Sequence, residues 1–218
     1  MSSPTKRRYS SPLRREQAAA TRLRIAEAAR ELMLEHGYQA TTLVDVAQRA
    51  GVAVQTLYAT CPGGKPALAK LVWDITVAGD AQPMPQSARP EVQAIVAEPD
   101  PVRKVERFAA MATAIQRRTA PLHRVLRAAA AAAAPDSDVP DVLAATERER
   151  LVGSRGPAED LAAAGALRAG LSVERAAHQV YVLTSVELFD RLTGVCGWDP
   201  TEYRDWLARQ LRAALLHP

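Results

Sequence analysis

Apolar residues recur along the chain at intervals of three and four and seldom alternate singly, a spacing that lines one face of an α-helix and not of a β-strand. The first such run predicts a helix from near Gln17, with Ile25, Ala29, Leu32 and Met33 on one face and Gly37 as its stop, at the position where helix ends favour a left-handed residue. Thr42 stands where it caps a second helix, with Asp45 in the capping-box position three residues on. Val46, Ala47 and Ala50 of that helix face inward, and Gly51 ends it. A third helix is expected over about residues 54–60, and a fourth over 66–77, opened by Pro66 and striped with Leu68, Leu71, Val72 and Ile75.

Residues 78–90, "AGDAQPMPQSARP", interrupt the pattern as a proline-rich linker. Beyond it the periodicity predicts helices over 91–97, 102–118, 120–134, 140–152, 158–168, 173–193 and 200–216. Asp100-Pro101 and Asp199-Pro200 each set a cap before a first-turn proline. The alanine run from Ala128 needs no special role, because alanine has the highest helix propensity. Residues 1–16, rich in Ser, Pro and Arg without an apolar period, read as a flexible basic arm. The expectation is an all-α protein: arm 1–16, a three-helix domain over 17–65, and a larger helical body over 66–218.

Charge changes this picture because it is unevenly placed. Residues 1–70 hold eleven Lys or Arg against five acids, a formal +6, which leaves −2 for residues 71–218 out of the chain's +4. A basic N-terminal third joined to a mildly acidic remainder points to a polyanion at one end only; a solvated charged surface is the plainer alternative. Cys61 and Cys196 are the only cysteines and neither lies in a C-x-x-C, which predicts a reducing, cytoplasmic setting and no metal site. No apolar run is long enough to span a bilayer.

The candidate chemistry lies between Ala47 and Lys65. Ala47, Gly51, Val52 and Leu57 supply a small residue at a helix crossing, a residue tolerant of positive φ and apolar anchors, the needs of a helix-turn-helix. "PGGK" also resembles a phosphate loop, but Ala59 stands where a nucleotide loop needs glycine and Pro66 where it needs Ser or Thr. The glycines read better as presenting Lys65, at a helix N-terminus, to a DNA phosphate.

The stretch "IAEAARELMLEHGYQATTLVDVAQRAGVAVQTLY", followed by "ALAKLV", resembles the N-terminal region of the tetracycline-repressor-like (TetR) family. Gly37-Tyr38, Thr41-Thr42, Ala47, Gly51-Val52 and Leu57-Tyr58 fall at that family's spacings, and "VAGD" at 77–80 is similar to an actinobacterial-type branch. Two departures fall at the joint with the body. Cys61 stands where the family commonly has an aromatic, and Lys65 comes one residue late; both bear on the pose of Lys65 and the rigidity of the third helix.

The resemblance implies that Val54, Gln55, Thr56, Ala59 and Thr60 form the reading face. Gln55 suits a bidentate pair with adenine, and the short apolar groups suit thymine methyls. Thr42, Tyr58 and Lys65 are then phosphate contacts, with capping an equal role for Thr42 and ring packing the alternative for Tyr58. The arm's Lys6, Arg7, Arg8, Arg14 and Arg15 either follow the DNA or remain a solvated tail.

In the body, helix 173–193 is apolar on two faces and helix 200–216 adds a further stripe. Tyr181, Leu188, Leu192, Trp206, Leu207 and Leu211 are therefore candidates for an interface between two copies, where the family also dimerises. The family pattern implies a ligand cavity walled by residues 91–168. Phe108, Met111 and Ile115 are its candidate apolar wall, and His123, His178 and Tyr181 its candidate polar groups. The function expected is a sequence-specific, ligand-responsive transcriptional repressor, binding a palindromic DNA operator as a homodimer, with an unidentified small-molecule effector, no cofactor and no membrane. The alternative is a helical binding protein or co-regulator with weakened DNA reading. No catalytic constellation stands out, so no enzyme activity is expected.

Overall fold

A computed structural model describes residues 12–134 and 137–217. Among them the regular structure is helical, apart from one isolated bridge between Leu167 and Leu216. The helices are α1 Pro12–Ala40, α2 Leu43–Arg49, α3 Val54–Thr60, α4 Gly64–Ala78, α5 Pro90–Val96, α6 Pro101–Ala131, α7 Val139–Gly153, α8 Arg155–Ala163, α9 Val173–Leu183, α10 Val186–Asp190 and α11 Pro200–Leu215.

α1 starts at Pro12, earlier than its apolar stripe predicts, because Arg14, Arg15, Glu16 and Gln17 are exposed helix formers with no core contact to reveal them. Arg14 and Arg15 thus belong to α1 and not to an arm, whereas Lys6, Arg7 and Arg8 lie outside the described residues. The helix breaks at Gly37, where φ is 82°, as expected, and residues 38–40 add one more turn. Ile25, Ala29, Leu32 and Met33 are buried as the periodicity requires.

The body corrects three expectations. The two helices expected over 102–118 and 120–134 are one, α6, with Pro121 inside it. A proline forfeits one backbone hydrogen bond and crowds the preceding turn. Here burial on both sides of it outweighs that: Val105, Ala109, Ala112, Leu122, Leu126 and Ala129 all enter the core, where α6 meets α1, α4, α10 and α11. Conversely, the helix expected over 173–193 is broken. α9 ends at Thr184, and the Ser185 hydroxyl accepts the Leu188 N–H at 3.3 Å to start α10, which runs into a wide π-type turn at Arg191–Val195. The break turns Val186 and Phe189 into the core while Val182 is left 61% exposed. The helix expected over 158–168 is the shorter α8, with Gly165 in left-handed geometry just after it (φ 66°).

Candidate nucleic-acid interface and ligand cavity

The helix-turn-helix is built from local bonds. The Thr42 hydroxyl accepts the Asp45 N–H at 3.1 Å and donates to the Asp45 carboxylate at 2.6 Å, which fixes the start of α2. At its other end Gly51 has φ 65°, and the Val52 N–H reaches the Ala47 carbonyl at 3.0 Å. Arg49 binds Glu31 and Glu35 of α1 at 3.3 and 3.1 Å, tying α2 across the first helix. Val46, Ala47, Leu57 and Cys61 are buried beneath. Burial pushes the Cys61 thiol pKa up, so it packs as a small apolar group and not as a thiolate.

With Leu57 turned inward, α3 presents Val54, Gln55, Thr56, Tyr58 and Ala59 to solvent. Thr60 is half-buried and its hydroxyl donates to the Thr56 carbonyl at 2.8 Å, so it is the least available of the six reading-helix candidates. Of the exposed set only Gln55 carries an amide and only Tyr58 another long hydrogen-bonding side chain. Tyr58 is 51% exposed.

Lys65 is in the first turn of α4, as expected, but its ammonium is turned inward. It donates to the Gln39 carbonyl at 2.9 Å and sits 4.5 Å from the centre of the Tyr38 ring. Burial lowers its pKa, opposed by Asp138, whose carboxylate accepts the Tyr38 hydroxyl at 3.4 Å. Lys65 therefore rests on α1 with neutral groups as its nearest partners, half-buried.

α4 joins this head to the body. It packs on α1, α6 and α7. Lys70 bonds Asp74 and Glu149, and Arg118 of α6 donates to the Thr76 and Val77 carbonyls at 3.1 and 2.9 Å, covering the end of α4 at Gly79. The buried Trp73 lies 6.1 Å from the His123 ring.

Two adjoining cavities open beyond Trp73. The larger, 460 Å³, lies between α5, α6, α8 and α11 and is walled by Val92, Ile95, Phe108, Met111, Leu161 and Leu211 among others. The smaller, 160 Å³, shares Phe108, Met111 and Gly153 with it and reaches Ile115, Val180, Trp73 and Val77. Phe108, Met111 and Ile115 thus gather as their spacing predicts. The three polar candidates do not. His123 is buried against a separate hollow beside Arg127 and Glu187, and burial lowers its pKa, with Glu187 opposing. His178 is exposed. The Tyr181 hydroxyl donates to Glu147 at 2.5 Å, under the Arg150 guanidinium, away from both cavities.

Sequence reasoning missed Trp73, Lys104 and Asp160. Lys104 stands at helical intervals with Phe108, Met111 and Ile115, a lone lysine on an apolar stripe, and that was its only signal. It bonds the Val96 carbonyl at 3.0 Å and the Asp160 carboxylate, on a helix remote in sequence. Of the interface candidates, Leu207 and Leu211 are 0% exposed within their own chain, packed where α11 meets α6. They belong to the core and not to a surface between copies. Tyr181, Leu188, Leu192 and Trp206 are half-buried, and beside them Val182 and Val195 are exposed.

Residues 25–60 match the sequence profile of bacterial regulatory proteins of the tetR family. No curated protein matches the chain. Solved structures share its fold. TylP, a TetR regulator from Streptomyces fradiae, is 23% identical with a TM-score of 0.62 over 93% of this chain and 89% of that one. FadR from Bacillus subtilis, a transcriptional regulator in complex with stearoyl-CoA, is 16% identical with a TM-score of 0.65 over 87% and 96%. NalD, the secondary repressor of the MexAB-OprM multidrug efflux pump in Pseudomonas aeruginosa, is 20% identical with a TM-score of 0.58 over 90% and 97%. Among the described residues no helix is long and apolar enough to cross a membrane. The matched segment coincides with the helix-turn-helix, so residues 25–60 are a DNA-binding segment of the tetR type in a chain that shares the fold of these regulators, and the protein is a DNA-binding transcriptional regulator.

Proposed function

We propose that the protein is a ligand-responsive repressor that binds a palindromic operator in the cytoplasm as a homodimer, with a small molecule in the α5–α11 cavity as its effector. One observation carries the reading: α4 has Lys65 at its first turn, against the reading head, and Trp73 and Val77 on the wall of the smaller cavity. A ligand pressing on Trp73 moves the element that bears the head. Val54, Gln55, Thr56 and Ala59 read bases; Tyr58 and Lys65 hold phosphates, with Thr42 behind them as the cap of α2. A two-fold pair of heads about 34–36 Å apart enters successive major grooves. The pairing surface is the half-buried set Tyr181, Leu188, Leu192 and Trp206, together with Val182 and Val195. Ligand then shifts the population toward a spacing that no longer fits the operator.

The test is fluorescence anisotropy on duplexes tiling the DNA upstream of the protein's own gene, with a shuffled control, across a salt series. Selective binding that weakens steeply with salt is expected. Equal, weak binding to every duplex favours the second reading, a small-molecule-binding co-regulator with weakened DNA reading. The inward pose of Lys65 is the observation on its side.

A further inference from the structure

Phe108, Met111 and Gly153 wall both cavities, so the two adjoin along one face of α6 with Phe108 and Met111 between them. From Lys104 to Ile115 that face runs for about 16 Å at 1.5 Å per residue. Among the described residues, the charged ones lining these two cavities are Lys104 and Asp160 in the larger and Arg150 in the smaller. Each is already neutralised inside the protein. Lys104, 7% exposed, is paired with Asp160. Arg150 binds Glu147 at 2.8 Å and the Tyr181 and Thr184 carbonyls at 3.1 Å each. The remaining polar groups include Gln86, Ser87 and Gln93, neutral and exposed.

We propose that the effector is an uncharged, elongated, mainly apolar small molecule with a hydroxyl or carbonyl oxygen at the Lys104 end. The inference rests on the ligand-responsive reading above and names the chemical class of its ligand. An ammonium has three donors; Lys104 uses two, on Val96 and Asp160, and the third is open to a neutral acceptor. A carboxylate ligand would have to draw Lys104 from Asp160 and leave that carboxylate uncompensated, or add a second negative charge to a satisfied pair. An amine would compete with Lys104 for Asp160 in the same way. Both place an unbalanced charge in an apolar space, the costly arrangement. A neutral molecule leaves the pair intact and fills the space across Phe108 and Met111 as far as Trp73.

Titration calorimetry of the full chain with three probes of one body and different heads tests this: 1-decanol, decanoate and decylammonium at neutral pH. 1-Decanol is expected to bind at least tenfold more tightly than either ion. Met111→Trp, which adds bulk at the wall the two cavities share, is expected to weaken 1-decanol at least tenfold. Asp160→Asn, which unbalances Lys104, is expected to reverse the preference toward decanoate. Because a structural defect cannot by itself create a preference for an anion, that reversal is specific. Tighter binding of decanoate by the unaltered protein overturns the proposal, as does saturable 1-decanol binding that Met111→Trp leaves unchanged, or no binding of any probe. In the last case selective operator binding by the same preparation leaves the regulator reading standing, and its loss removes both.

Discussion

Lys65 of the reading head and Lys104 of the body are both withdrawn from bulk water near the start of a helix, yet their charges are handled in opposite ways. Lys65 rests on a carbonyl oxygen and an aromatic face, neutral partners that hold the ammonium without cancelling it. Lys104 is set against a carboxylate and its charge is cancelled within the cavity wall. The proposed roles of the two surfaces would account for the difference. A polyanion attracts uncompensated positive charge, so the head gains from a lysine whose neutral contacts phosphate can replace. An apolar cavity tolerates ions only in balanced pairs.

The largest break in that contrast is predicted at Lys104→Met. Removing one member of a buried pair strands the other, a loss of about 3–5 kcal/mol, with the partial exposure of Asp160 favouring the lower end. Urea unfolding measures it, and Lys104→Met with Asp160→Leu is expected to recover most of the loss. A loss well under 1 kcal/mol would mean that water already solvates the pair.

At Lys65→Met the same change of charge is expected to cost under about 1 kcal/mol of stability, the size of an exposed cation–π contact. Its effect lies in binding. Affinity falls on every duplex alike, and the slope of log affinity against log salt shrinks by about 1, one phosphate contact. An unchanged slope would show that Lys65 keeps its inward pose on DNA and contributes nothing to the phosphate count.

The two regions also differed in how much of them could be read from the chain. In the head each determinant sits within a few residues of its partner: Thr42 with Asp45, Val52 with Ala47 across Gly51, Leu57 with its neighbours beneath. Local pattern captures such contacts, and α2 and α3 lie where it placed them. In the body the deciding partners are far away. The break expected between 118 and 120 is overridden by burial of α6 against α1, α4, α10 and α11, and Pro121 is carried inside the helix. The stripe of Leu207 and Leu211 is equally apolar whether it faces its own α6 or a second copy, and periodicity cannot tell these apart. Lys104 finds Asp160 only through the tertiary fold, which brings this pair together from α6 and α8 across 56 positions, so nothing near either residue announced it. The exposure of Val54, Gln55, Thr56 and Ala59 was legible, whereas the pose of Lys65 depended on Tyr38 and Gln39 in the last turn of α1.

A smaller effect is expected at Thr42→Ala. Its hydroxyl is committed in both directions to Asp45, so the loss is that of a cap, about 1 kcal/mol in thermal unfolding. Thr42→Ser keeps both bonds and is expected to restore stability. If Thr42→Ser instead binds DNA several-fold more weakly while unfolding normally, the threonine methyl or its rotamer matters to the complex and capping is not the whole role.

The smallest expected effect is the most selective one, at Tyr58→Phe. Tyr58 is half-exposed on α3, so removing its hydroxyl should change stability by less than about 0.5 kcal/mol, as for surface substitutions generally. If that hydroxyl donates to a DNA phosphate, binding weakens by about 0.5–1.5 kcal/mol, the net worth of one hydrogen bond. Since a phosphate contact carries no sequence information, the weakening falls equally on operator and shuffled duplexes. A loss confined to the operator would instead place Tyr58 at a base edge, and no loss at all would leave its ring as a packing group. Tyr58 lacks a charge, so its removal should leave the salt slope where it was, while Lys65→Met lowers it. The two variants together thus separate a phosphate contact made by hydrogen bonding from one made by charge.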